Sequence, residues 1–291
     1  WRHTTNTAIV GEYQLIADDR LGLGASIRHD FNSRFDDDTT FRAQGSYRFD
    51  SGTRLHAAAG TGTKAPTFSE LYDYYAGRYV GNAGLKPEAS TGWEAGVEQS
   101  LAGGRFKFDA TYFDNRLKDE ITTVYDANFV GSPVNLPGNT RQQGVEVTAA
   151  ARFAGGWRLD ASYTYLHAPQ DRQVTFDPLT FASGTFHGQA IRRAENIAST
   201  NLTWAPEDQP FSGTVTVRYN GPQRDTFFGY YPPLLVTLHS FALVNLNASY
   251  RIGKHVELFG RVENLLDHKY AEVYSFATPG RAAYGGIRVR L

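Results

Sequence analysis

The sequence predicts an all-β chain whose strands build part of an antiparallel transmembrane β-barrel. Three observations carry this. Apolar and polar residues alternate with period two along nearly the whole chain, which gives each segment one apolar and one polar face. Short turns and long loops alternate strictly between these segments. A helical span needs about 18 consecutive apolar residues, whereas the longest apolar run is the four residues Phe241 to Val244.

The alternation is plainest in 41–49, where Phe41, Ala43, Gly45, Tyr47 and Phe49 face Arg42, Gln44, Ser46 and Arg48 across the strand. It recurs in 145–153, with Val145, Val147, Ala149, Ala151 and Phe153 opposed to Glu146, Thr148 and Arg152. In 157–165, Trp157, Leu159, Ala161, Tyr163 and Tyr165 alternate with Arg158, Asp160, Ser162 and Thr164. In 256–263, Val256, Leu258, Gly260 and Val262 stand against Glu257, Phe259, Arg261 and Glu263.

Thirteen strands follow, at 7–16, 20–30, 39–50, 53–63, 90–101, 105–117, 139–153, 157–168, 190–205, 210–224, 239–252, 255–266 and 281–291. Turns rich in Asp, Gly and Pro join them at 17–19, 51–52, 102–104, 154–156, 206–209 and 253–254. Longer loops fall at 31–38, 64–89, 118–138, 169–189, 225–238 and 267–280. Hairpins with one tight and one elaborated end are the layout of an outer-membrane barrel, with short periplasmic turns and long extracellular loops. Strands of about 10–15 residues exceed the five or six usual in soluble sheets and suit a tilted membrane span.

Energetics decides which solvent meets each face. An aromatic face on every strand would leave far more apolar surface in water than a monomer tolerates. A β-sandwich would hide it, but strand length, loop alternation and the charged opposite face favour lipid outside and a watery interior. A one-residue slip of 41–49 would turn its arginines to lipid, at about 2–4 kcal/mol each near the midplane. Trp157, Phe153, Trp204, Phe49 and Tyr250 lie on the apolar face beside short turns, where an interfacial aromatic girdle belongs; the plainer reading is five core aromatics.

Composition excludes several classes. The 291 residues carry 29 Lys+Arg against 30 Asp+Glu, so no basic surplus exists to displace nucleic-acid counterions. Zero cysteine removes disulfides, thiolate zinc sites and thiol nucleophiles. Zero methionine, even at position 1, and no leader before Trp1 suggest a mature or internal segment. Strand parity agrees: with thirteen strands the first and last run in the same direction and cannot close antiparallel. Either a fourteenth strand is missed or strands are missing upstream.

Four stretches carry a family resemblance. Ala65-Pro66-Thr67-Phe68-Ser69-Glu70-Leu71-Tyr72 follows a strand ending in Gly60-Thr61-Gly62-Thr63-Lys64. Gly81-Asn82-Ala83-Gly84-Leu85-Lys86-Pro87-Glu88 leads into Ser90-Thr91-Gly92-Trp93-Glu94-Ala95-Gly96. Val262-Glu263-Asn264-Leu265-Leu266-Asp267-His268-Lys269-Tyr270 closes the penultimate strand, and Gly286-Ile287-Arg288-Val289-Arg290-Leu291 ends the chain. In this order, over essentially all 291 residues, they resemble the C-terminal half of a TonB-dependent outer-membrane receptor. Ala277-Thr278-Pro279-Gly280-Arg281 and the Lys64-to-Tyr72 segment look closest to cobalamin-receptor-like members, although siderophore receptors have similar segments.

The resemblance implies a barrel of 22 strands with a plugged lumen, of which the plug, its TonB-contacting box and about nine strands would be absent here. It implies the outer membrane of a Gram-negative bacterium, surrounding membrane lipid, and TonB as partner through the missing plug. It also implies energised import of a scarce, bulky nutrient: cobalamin, or a ferric siderophore or haem. The last strand, with Tyr284, Gly286, Val289 and Leu291 read as alternating, resembles the signal taken up by the barrel-assembly machinery, although the family commonly ends in an aromatic residue. Independently of the family, Pro66 and Pro87 end strands by removing a ladder donor, and Asn264 and Asp267 are good turn formers.

Candidate ligand contacts sit in the long loops: Tyr72, Tyr74, Tyr75 and Tyr79 with Arg78; Arg224, Tyr230 and Tyr231 with Phe227 and Phe228; and Tyr274. Rigid aromatics can stack on a large planar ligand at small entropy cost, or pack the loops against each other. Arg192, Arg193 and Arg224 can meet anionic groups or stand as solvated rim charges. Asp36-Asp37-Asp38 reads as a solvated turn rather than a calcium site, and the eight scattered histidines have no metal-ligand spacing. No cofactor is implied. A barrel lipase needs a base beside its serine; no His-x-Ser occurs, and the adjacent His239 and Ser240 face opposite ways, so no catalytic residue is assigned. A passive diffusion porin is the remaining competitor.

Overall fold

The computed structural model of the chain describes residues 3–126, 128–177, 182–227, 229 and 234–290. Thirteen strands form one antiparallel sheet in chain order: β1 Asn6–Ala17, β2 Leu21–Asn32, β3 Asp38–Arg48, β4 Thr53–Lys64, β5 Glu88–Leu101, β6 Phe106–Lys118, β7 Asn139–Arg152, β8 Trp157–His167, β9 Asn196–Trp204, β10 Phe211–Asn220, β11 Phe241–Ile252, β12 Val256–Glu263 and β13 Ala282–Val289. β1 and β13 are its two edges.

The registers carry one face across the whole wall. Ala110 of β6 lies opposite Val147 of β7, Val147 opposite Tyr163 of β8, and Tyr163 opposite Ala198 of β9. Directly opposed residues share a face, so the apolar alternation of each strand adds up to one continuous apolar surface. No apolar layer covers it: Phe41 is 54% exposed and Leu55 49%. A dry sandwich would have buried these side chains. The fully buried apolar residues lie mostly at the long-loop end, among them Leu71, Leu85, Ala168, Ala194, Leu235 and Leu238.

The aromatics beside the short turns meet in pairs along that surface. Trp157 lies 6.4 Å from Trp204, Trp204 5.8 Å from Phe211, Phe106 5.7 Å from Phe153, and Tyr47 4.9 Å from Phe49. Backbone geometry makes the turns tight. In Ala154–Gly156 both glycines have positive φ, and a Cβ on Gly156 would come 2.4 Å from the Pro206 nitrogen.

The opposite face is polar and laced across strands, with the ion pairs Arg54–Glu98 at 3.0 Å and Arg288–Glu257 at 2.9 Å and a hydrogen bond between His56 Nε2 and Asp109 at 2.9 Å. Phe259 belongs to this face, where the Arg288 guanidinium covers its ring at 5.4 Å; Arg261 covers Tyr284 at 4.4 Å. The terminal strand departs from the sequence reading here. Tyr284 lies opposite Arg261 and Gly286 opposite Phe259 on the polar face, whereas Ile287 and Val289 lie opposite Leu258 and Val256 on the apolar one. Tyr284 and Gly286 therefore do not share a face with Val289, because they differ from it by an odd number of residues. Leu291 lies outside the described residues.

Strand ends differ where a loop takes over. β9 begins at Asn196 rather than 190, because Ala190 and Ala194 are buried in the loop and Arg192 has a φ of 55°. β10 stops at Asn220, before Gly221-Pro222, and β12 stops at Glu263 because Asn264 turns left-handed with a φ of 48°. The long loops hold structure of their own. One short helix, α1 Phe68–Tyr72, and the hairpins Ile121–Tyr125/Gly131–Asn135, Pro169–Asp177/Ala182–Gln189 and Gln223–Phe227/Leu234–Leu238 stand above the wall.

Candidate functional site

Two loop assemblies stand at the long-loop end. The first joins the β4–β5 and β6–β7 loops. Helix α1 starts with a capping box: the Thr67 hydroxyl accepts from the Glu70 amide at 3.2 Å, and the Glu70 carboxylate accepts from the Thr67 amide at 2.7 Å. The chain then turns back beneath the helix. The Gly81 and Asn82 amides donate to the Asp73 and Glu70 carbonyls, both at 2.8 Å. A Cβ on Gly81 would lie 2.6 Å from the Tyr72 nitrogen, so this crossing needs glycine.

Polar side chains fasten this loop to its neighbour. Asn82 Nδ2 donates to the Pro133 carbonyl at 3.1 Å, and Asn135 bonds both backbone groups of Lys86. Glu88 accepts from the Ile121 amide at 2.7 Å and from Lys64 Nζ at 3.0 Å. The motif residues Lys64, Asn82 and Glu88 thus act as fasteners.

On this base the pairs Tyr74–Tyr75 and Tyr79–Val80 form a small hairpin that joins the Gly131–Asn135 strand. Tyr74 and Tyr75 are 70% and 60% exposed. Tyr79 is half-buried, and burial together with the carboxylates of Glu70 and Asp73 raises its phenol above the ordinary tyrosine range. Tyr72 is also half-buried, stacked on Phe68 at 6.1 Å with the Arg34 guanidinium 5.0 Å from its ring. Of the four predicted tyrosines, two present their rings to solvent and two pack the loop.

The second assembly centres on a residue that sequence reading missed. Asp225 is fully buried, yet it accepts from Arg192 Nε at 2.9 Å, the Thr226 amide at 2.8 Å and the Tyr274 amide at 2.7 Å. Three loops meet on one carboxylate. Arg192 is therefore a structural partner of Asp225, and its amide also donates to the Arg224 carbonyl at 2.7 Å. Tyr274 packs edge-on against Phe227 at 5.3 Å, and Arg224 is half-buried. Tyr230 and Tyr231 lie outside the described residues. The signal for Asp225 was faint: an acidic residue next to an arginine in a loop.

Asp37 and Asp38 serve the backbone and a neighbouring strand. Asp37 accepts from the Asn32 amide at 3.0 Å, and Asp38 accepts from the Thr63 hydroxyl at 3.0 Å. Among the described residues, no group of three or more His, Asp or Glu is placed to hold a metal ion.

Residues 2–265 match the family described as TonB dependent receptor-like, beta-barrel. The chain belongs to the TonB-dependent receptor β-barrel family. Receptors of this family are proteins of the Gram-negative outer membrane, which places the short turns in the periplasm and the long loops outside the cell.

Solved structures agree on the fold of the receptor wall. The siderophore receptor PirA from Acinetobacter baumannii aligns with a TM-score of 0.74 at 17% identity, over 98% of this chain and 46% of that one. The copper transporter OprC aligns with a TM-score of 0.75 at 19% identity, over 98% and 49%. A variant of the ferric enterobactin receptor PfeA from Pseudomonas aeruginosa, in complex with enterobactin, aligns with a TM-score of 0.76 at 20% identity, over 98% and 45%. The chain spans just under half the length of each.

Proposed function

We propose that this chain is the C-terminal part of the wall of a receptor for TonB-energised uptake of a scarce, bulky nutrient. In this reading a plug domain and the first wall strands stand upstream, TonB engages the plug, and β13 is the segment read by the barrel-assembly machinery. One observation carries the proposal. Tyr74 and Tyr75 stand exposed on a small loop sheet held rigid from below by Asn82, Asn135 and Glu88. Aromatic side chains with few rotors, mounted on a fixed base, bury a large flat ligand at little entropic cost. Arg224 and Tyr274, in the second assembly, supply a cation and a further ring.

Cobalamin and a ferric chelate are both ligands of this size and shape. The Ala277-to-Arg281 and Lys64-to-Tyr72 segments favour cobalamin, whereas the similarity to siderophore receptors of known structure favours a ferric siderophore. Equilibrium binding to the protein extracted from its native outer membrane separates them, with cyanocobalamin and ferric enterobactin as probes. One of the two binds at micromolar concentration or below, and Tyr74→Ala/Tyr75→Ala weakens it about tenfold, the sum of two stacking contacts. Failure of both probes to bind rejects the reading. A steady open conductance in planar bilayers would instead mark a diffusion channel.

A further inference from the structure

The outward face of the wall is free of Asp, Glu, Lys and Arg at every described strand position except at one place. That place is Asp114, Arg116 and Lys118 on β6 with Arg141 on β7. All four lie at the extracellular ends of their strands. The register sets Arg116 opposite Arg141, two like charges that repel across the ladder. Asp114 neutralises one of them. Its side chain is 4% exposed and accepts from Arg141 Nε at 2.9 Å, while Arg116 Nε stands 3.7 Å away. Arg116 and Arg141 remain 63% and 47% exposed. Lys118 is exposed and makes no ion pair among the described residues. Three cations thus stand around one carboxylate that pairs with two of them, on a face free of other Asp, Glu, Lys or Arg among the described strand positions.

Level with Asp114 and below the arginines stands an aromatic step on the same face: Trp93 lies opposite Asp114, and Tyr112 two residues further down β6. The Trp93 and Tyr112 rings lie 5.3 Å apart, and the Tyr112 hydroxyl donates to Gln143 at 3.2 Å. Tyr and Trp rings of this kind mark the membrane interface. Four residues separate Tyr112 from Arg116, roughly 13 Å along the strand and about 10 Å along the membrane normal after tilt. That height is the headgroup layer of the outer leaflet.

We propose that Arg116, Lys118 and Arg141, braced by Asp114, bind the phosphate of an outer-leaflet lipid headgroup whose acyl chains run down the Trp93–Tyr112 step. Guanidinium groups match phosphate oxygens in bidentate geometry, and the lysine adds a mobile point charge. The outward aim of the patch and the apolar step beneath it select a lipid over a soluble phosphate. The inference rests on the membrane placement of the wall and is independent of the transported ligand.

Native mass spectrometry of the protein extracted from its outer membrane in an uncharged detergent tests this, with dioleoyl phosphatidic acid and dioleoyl phosphatidylcholine as probes. The wild type retains phosphatidic acid in preference to phosphatidylcholine. Arg116→Gln/Lys118→Gln, which spares the Asp114–Arg141 pair, holds phosphatidic acid about thirtyfold more weakly, roughly fivefold per cation removed. Arg42→Gln removes a cation from the lumenal face and leaves retention unchanged. Heat-modifiable migration on gels confirms that each variant is folded. Equal retention of the two lipids, unchanged affinity in the double variant, or an equal loss in Arg42→Gln overturns the proposal. Displacement of the lipid by inorganic phosphate at equal concentration shows a soluble-anion site and overturns it as well.

Discussion

Asp225→Ala is the sharpest test of how the extracellular loops are held. The substitution removes a fully buried carboxylate and strands the donors that converge on it from Arg192, Thr226 and Tyr274. Breaking a buried charge pair costs about 3–5 kcal/mol when the surviving charge stays buried. Arg192 does not stay buried: its side chain is 45% exposed and regains water, which removes much of that penalty. What remains is the Tyr274 and Thr226 amides left without an acceptor, at about 1–3 kcal/mol for each one that stays dry. The net loss is then about 2–4 kcal/mol, felt by the three loops and not by the wall, because no wall strand supplies a partner. Hydrogen exchange followed by mass spectrometry resolves this. Peptides covering 190–195, 223–227 and 267–276 exchange about thirtyfold to a thousandfold faster, while β6 to β8 exchange as before. Unchanged protection of the Tyr274 amide would refute the reasoning, since it would mean that another acceptor fixes that loop.

The face assignment makes a paired prediction one residue apart. Val147→Arg places a cation on the outward face near mid-wall and costs about 2–4 kcal/mol, whereas Thr148→Arg points into the lumen and costs under 1 kcal/mol; urea unfolding in lipid vesicles reads the difference. Asn264 is buried, bonds His268 through both ends of its amide, and has a φ of 48°. Asn264→Gly therefore loses the bonds alone, and Asn264→Ala loses them and adds left-handed strain, about 1 kcal/mol more; thermal unfolding in detergent should rank Asn, Gly, Ala. The Tyr79 phenol titrates above the ordinary tyrosine value. Because its proton binds more tightly in the folded loop, the stabilisation is complete below about pH 10. It is lost as pH rises through the raised value. Tyr79→Phe should remove a late-ionising component from the ultraviolet absorbance titration.

The wall was legible because a single-layer sheet obeys a local rule. Each strand of Phe41–Phe49 type states its own two faces, and among the described residues no second layer packs on the wall to override them. Most of the thirteen strands therefore fall within three residues of their expected ends, β9 and β10 being shorter by six and four at their loop ends, and the tight turns at Gly155 and Gly253 are written in residues that tolerate positive φ. The pattern failed where both faces lose their contrast. In Ala282–Val289 the residues Gly285 and Gly286 belong to opposite faces without differing in type, so alternation alone could not seat Tyr284.

The loops obey no such rule, and the reason is separation along the chain. Arg192 lies 33 residues from Asp225, and Tyr274 lies 49 residues from it. No periodicity connects them, and a lone loop aspartate looks the same whether solvated or fully buried. The tyrosines of 72–79 were visible as a cluster, but their division into two exposed rings and two packed ones depends on Gly81 passing beneath α1 and on Arg34 reaching Tyr72 from a different loop. The outward cations show the same limit from the other side. Arg116 and Arg141 each continue the apolar phase of their own strands, so a strand read singly registers only a charged end. Only the β6–β7 register sets them face to face over Trp93 and Tyr112. Local alternation fixes which way a side chain points, and pairing between strands fixes what it meets there; in this barrel the first is enough to build the wall, and the second decides what the wall and its loops can hold.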